Sequence, residues 1–108
     1  MAQQAFNPQG NTQTFTAAST PPAPVQVAST TGAANQFRVI NAGQQLVFMG
    51  VGTTSALATT NATSAMPSRA IPILPGTDEI LTFTPDAYFT GATASSTSVI
   101  YVTPGTGA

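Results

Sequence analysis

Cysteine, histidine, lysine and tryptophan are all absent from this 108-residue sequence, and two arginines and three acidic residues are its only charged side chains. Each absence excludes a class of chemistry. A serine, threonine or carboxylate nucleophile needs a base, and the usual partners, His and Lys, are missing, so the chain is expected not to be an enzyme. Zinc and iron sites lack their His and Cys ligands, no disulfide can form, and no metal or cofactor is expected. With a formal net charge of -1, there is no basic surface to neutralise phosphates or anionic lipids, so neither nucleic acid nor membrane is an expected partner. No run of eighteen apolar residues suggests a membrane span, and no basic residue precedes an apolar run near the N-terminus, so no secretory signal is expected.

What is present favours strands and turns. The apolar fraction is 42%, but 18 of those residues are Ala, and Leu, Ile, Val and Phe together number only 22. Such a core is thin for one domain, which points to further burial against neighbouring chains. Ser and Thr total 27, with 9 Gly and 9 Pro, a composition suited to β-structure and turns.

Residues 1–35 differ from the rest. Gln, Asn, Thr, Ala and Pro dominate, and after Met1 Phe6 and Phe15 are the only large apolar side chains before Val25. Pro21, Pro22 and Pro24 fix φ and remove backbone donors, which forbids a helix. The segment reads as an extended N-terminal arm, either a disordered linker or a strap that inserts Phe6 or Phe15 into a neighbouring subunit.

From residue 36 the pattern is strand and turn, giving a β-domain over 36–108. Gln36–Asn41 and Gln45–Val51 flank Ala42-Gly43-Gln44 and are expected to pair as a hairpin. Val47, Met49 and Val51 share one face, Leu46 and Phe48 the other. Residues 52–65 read as exposed strand or loop. Ile71 and Ile73 flank Pro72, which fits a sheet edge, and Pro75-Gly76-Thr77 is a turn. Glu79–Thr84 places Leu81 and Phe83 opposite Ile80. Tyr88-Phe89 forms a short strand, Gly91–Thr97 a loop, and Ser98–Thr103 a last strand ended by Pro104-Gly105. No helical periodicity stands out. The expected fold is all-β: an antiparallel sandwich or a small barrel.

Candidate sites are few. Asp78 and Glu79 are adjacent and alternate faces on a strand, which does not suit a catalytic pair; with Asp86 they lack the dense spacing of a calcium loop. Arg38 leaves its strand opposite Phe37 and Val39, either to pair with a carboxylate or to reach water. Arg69 is a candidate interface anchor. Gly50-Val51-Gly52 lacks the third Gly and following helix of a dinucleotide loop. Asn61-Ala62-Thr63 matches a glycosylation acceptor, a pattern frequent by chance in Thr-rich sequence.

Phe37-Arg38-Val39-Ile40-Asn41-Ala42-Gly43, Val51-Gly52-Thr53-Thr54-Ser55 and Ile100-Tyr101-Val102-Thr103-Pro104-Gly105 resemble the "RVVN.G", "FGTSS" and "LYVTPG" segments of small head decoration (cement) proteins of tailed phages and prophages. The resemblance implies a jelly-roll-like β-sandwich, a structural protein on the capsid exterior, made in the host cytoplasm, bound to the major capsid protein and homo-oligomeric, with a trimer favoured over a dimer. Phe6, Phe15, Pro21, Pro22, Pro24, Arg38 and Arg69 are then the partner-interface candidates. A tail- or fibre-associated β-module, or a glycan-binding module using loops 53–65 and 91–97, is the alternative.

Overall fold

A computed structural model describes residues 6–30, 32–63 and 69–106. The fold is an all-β sandwich of two antiparallel sheets. Its strands are β1 (Asn7–Pro8), β2 (Gln13–Ala17), β3 (Val25–Gln26), β4 (Gln36–Asn41), β5 (Val47–Gly52), β6 (Ile71–Ile73), β7 (Asp78–Thr82), β8 (Tyr88–Ala92) and β9 (Ser98–Thr106), with one helix, α1 (Ser55–Asn61), between β5 and β6. The first sheet runs β7-β4-β9, with β1 and β2 sharing the far side of β9; the second runs β3-β8-β5-β6.

These orders have one origin. β2 pairs β9, β3 pairs β8, β4 pairs β7 and β5 pairs β6. The sequence midpoint of every such pair falls within α1. The chain is therefore one long nested hairpin with its tip at α1, rolled so that β4 meets β9 and β5 meets β8. That is the jelly-roll arrangement.

Alternation supplies the core. Phe15, Ala17, Phe37, Val39, Ile100 and Val102 point inward from the first sheet, and Val47, Met49, Ile73 and Phe89 from the second. Phe37 and Phe89 meet across the two layers with ring centroids 5.0 Å apart, and Phe83 completes the cluster at 6.2 and 5.8 Å. Tilted aromatic contacts of this kind add to the burial of the rings.

Four sequence expectations are corrected. The hairpin expected over 36–51 does not form: β4 and β5 enter different sheets. The cause is Asn41, fully buried at the end of β4. Its Nδ2 donates to the Gln45 carbonyl (2.8 Å) and the Ile73 carbonyl (3.0 Å), and its Oδ1 accepts from Gly43 N (3.1 Å) and Ser98 Oγ (2.7 Å). All four bonding positions of the amide are used, and they hold the chain in an arch that carries it to the other layer. Gly43 is required there, since a Cβ would lie 2.8 Å from the Ser98 Cα.

The described residues of 1–35 do not form a separate arm. β1 and β2 pair with β9, β3 pairs with β8, and Phe15 is 5% exposed in the common core. The polar composition that suggests an arm reflects outward-facing Thr14 and Thr16, while Phe15 and Ala17 face in. Sequence reading misses this because the partner strand lies more than eighty residues away.

Residues 55–61 are helical rather than strand or loop. Thr54 caps the helix by accepting from Leu57 N at 3.2 Å, and the helix is held by packing on β5 rather than by its length.

Pro104 does not end the last strand. Its carbonyl accepts from Gln9 N at 2.8 Å, so its missing donor faces residues 9–12, where pairing already lapses between β1 and β2. A proline costs the sheet little at such a break.

Candidate functional site

The two sheets differ in what covers their outer faces. On the second sheet, α1 lies across β5. A Cβ on Gly50 would stand 2.2 Å from the Ala58 carbonyl and 2.4 Å from Ala62 N, and one on Gly52 would stand 2.6 Å from the Leu57 Cβ. Gly50-Val51-Gly52 is therefore the seat of a helix, with Asn61 Nδ2 donating to the Val51 carbonyl at 2.9 Å as a clamp. Beside it the Pro22 carbonyl accepts from Thr90 Oγ1 at 2.7 Å.

The first sheet instead presents an open face. Strand register puts Thr14, Tyr101, Ile40 and Asp78 in one row and Thr103, Arg38 and Ile80 in the next, with Thr16 opposite Val99. Tyr101 and Ile80 are each 42% exposed; Ile40 between them, and Val99 beyond Tyr101 on β9, are half-buried. Thr12 and Thr103 share a hydroxyl hydrogen bond of 2.7 Å at the border. Ile40, Tyr101 and Val99 form an apolar patch in the middle of the face, threonines line its β2 side, and Ile80 and Asp78 stand at its β7 edge.

One ion pair crosses this surface. Arg38 Nε donates to Asp78 at 2.9 and 3.1 Å, and Arg38 Nη2 also contacts Asp78 Oδ2. The hydrogen bonds from Arg38 hold the Asp78 carboxyl below the usual carboxylate range; desolvation opposes them and the opposite charge adds to them. Hydrogen bonding and charge from Asp78 raise Arg38 in turn. The face is thus neutral as a unit.

The remaining sequence candidates scatter. Phe15 is core, and Phe6 packs on Gly105. Pro21, Pro22 and Pro24 are half-buried along the link from β2 to β3. Arg69 is exposed ahead of β6, and Met66-Pro67 lies outside the described residues. Glu79 is exposed on β7, facing away from Asp78. Asp86 adopts φ 61° in the turn before β8, and its Oδ1 is buried with no hydrogen-bond partner among the described residues. No group of three His, Cys, Asp or Glu side chains suited to a metal ion occurs among the described residues. An open cleft of about 340 Å³ lined by Gly10, Asn11, Ala28, Ser29 and Thr30 carries no charged side chain. Sequence reasoning picks out Arg38 on this face but misses Tyr101, Ile40 and Ile80; the signal available was the outward phase of three strands that become neighbours only through the roll.

Comparison with protein-family models, with curated proteins and with solved structures finds no match for this chain.

Proposed function

We propose that this chain is a non-enzymatic virion structural protein that decorates and stabilises a phage capsid by binding the outer surface of the major capsid protein shell. The observation that carries the reading is the asymmetry of the sandwich. One sheet is backed by a helix, while the other offers a broad face with an apolar patch at Ile40, Val99 and Tyr101, threonines along its β2 side and a self-neutralised Arg38–Asp78 ion pair. Such a surface suits protein docking with weak salt dependence.

The phage-like segments support the same reading through their positions. Phe37–Gly43 supplies β4 and the Asn41 arch, Ile100–Gly105 supplies the β9 stretch beside it, and Val51–Ser55 supplies the helix seat and its cap. The segments therefore specify one scaffold, and β4 and β9 carry the centre of the open face. The jelly roll is an architecture used by viral capsid domains, an analogy of fold that adds weight without deciding function. Many copies on one shell would turn modest single contacts into firm attachment.

Purified heads carrying and lacking this protein test the proposal. Heads lacking it release DNA at a lower temperature, and adding the purified chain back restores the difference. Equal release temperatures with and without the chain would refute the cementing role.

A further inference from the structure

We propose that the free edge of β7 pairs with the same edge of a second copy of this chain, joining the two first sheets into one continuous sheet about a two-fold axis. The inference stands apart from capsid decoration, because it concerns only what this chain offers to itself, and it favours a dimer over the trimer that the resemblance implies.

The hydrogen-bond phase sets the edge. Asn41 N donates to the Thr77 carbonyl at 3.1 Å just before β7, and Phe83 N donates to the Asn35 carbonyl at 2.9 Å just after it. By the alternation of an antiparallel ladder, Glu79 and Leu81 turn their backbone groups to β4. Asp78, Ile80 and Thr82 turn theirs outward. Asp78, Glu79, Ile80 and Thr82 are exposed, and among the described residues β7 pairs only with β4.

Most of the other edges are blunted in the ways natural sheets use. β6 is three residues with Pro72 at its centre, and β3 is two residues preceded by Pro24. The β1–β2 side is interrupted at residues 9–12 and carries Pro8. β7 and β2 are the two five-residue edges with no proline, glycine or lysine; the outward side chains of β2 are Thr14 and Thr16, whereas β7 exposes the large apolar Ile80.

Self-pairing is favoured by register and charge. Antiparallel pairing centred on Ile80 sets the two Ile80 side chains opposite each other, Asp78 opposite Thr82, and Glu79 opposite Leu81. No carboxylate meets a carboxylate, and each Asp78 keeps its own Arg38. Ile80, an exposed apolar side chain, gains an apolar cross-strand partner. The two open faces then merge side by side.

The test is the mass of the full chain by sedimentation, compared with I80K and I80P. Wild type is expected to sediment at twice the 10.9 kDa of one chain. I80K sets two ammonium groups opposite each other and I80P removes a donor that β4 does not use, so both are expected to lose the doubled mass while keeping a β-type circular dichroism spectrum. Because the chain has no cysteine, I80C gives a single thiol that a short bismaleimide should join into dimers, whereas T16C on the β2 side should not crosslink; this arm decides the matter if I80K and I80P fail to fold. A monomer at all concentrations, a trimer, a doubled mass retained by folded I80K, or crosslinking through T16C instead would overturn the inference. A monomer would leave the capsid reading standing, since a single copy can still dock.

Discussion

Asn41 shows how much one side chain decides in a charge-poor chain. Its amide satisfies two carbonyls, an N–H and a hydroxyl from three separate segments. Its own backbone also joins the β6–β7 turn, with Asn41 N bonded to Thr77 O and Gly76 N to Asn41 O. Replacing it by Ala leaves several buried polar groups without partners, each costing about 1–3 kcal/mol. N41A is expected to lose about 2–4 kcal/mol in urea unfolding; a loss within the scatter of ordinary surface variants would mean that the arch is held elsewhere. Sequence reading places Asn41 at a strand end beside a turn but gives no sign that the amide is buried, since burial depends on Ser98 and Ile73 arriving from distant strands. Asp78 is a weaker case. Its folded-state pKa is lowered, so its stabilising contribution is present above the ordinary carboxylate value near pH 4 and fades as pH falls through the folded value. The pair is exposed, so this contribution is small. D78N is expected to flatten the acid-side slope of stability slightly and to leave neutral-pH stability nearly unchanged, as thermal melts across the acid range would show.

At the scale of elements, the segments legible in the sequence are those whose apolar residues alternate strongly. Gln36–Asn41 and Ser98–Thr103 read correctly as strands, Ile80 is opposed to Leu81 as expected, and Pro75-Gly76-Thr77 turns with Gly76 at φ 75°. β2 and β3 are not legible, because strands rich in Thr, Gln and Pro resemble a linker until β9 and β8 pair with them. F15A therefore tests membership of the fold directly: it is expected to destabilise the whole molecule by about 3–5 kcal/mol. Deleting residues 1–24 should abolish cooperative unfolding, whereas a true arm could be removed with the melt intact. α1 is hidden for another reason: it is short, and its stability comes from the glycines beneath it. G50A forces a Cβ against helix backbone and is expected to displace α1, with loss of helical circular dichroism and a lowered melting temperature.

At the scale of the molecule, the scarcity of charge acquires a structural meaning. The described fold confines its ion pairing on the open face to Arg38 and Asp78, and the rest of that face is threonine, Gln36 and exposed or half-buried apolar surface. A thin core is compensated within the chain more fully than composition suggests, because the first thirty residues contribute Phe15, Ala17 and Val27 to it. What remains for neighbours is the face itself and the β7 edge. The most direct measurement of the capsid proposal is the number of copies bound per major capsid protein when purified wild-type chain or Y101D is added to undecorated heads. Tyr101 is exposed at the centre of the face, so the substitution leaves the core intact and places a carboxylate where docking requires burial. Saturation by wild type with markedly reduced occupancy by folded Y101D is the expected result; no binding by wild type, or equal occupancy by both, would contradict the account.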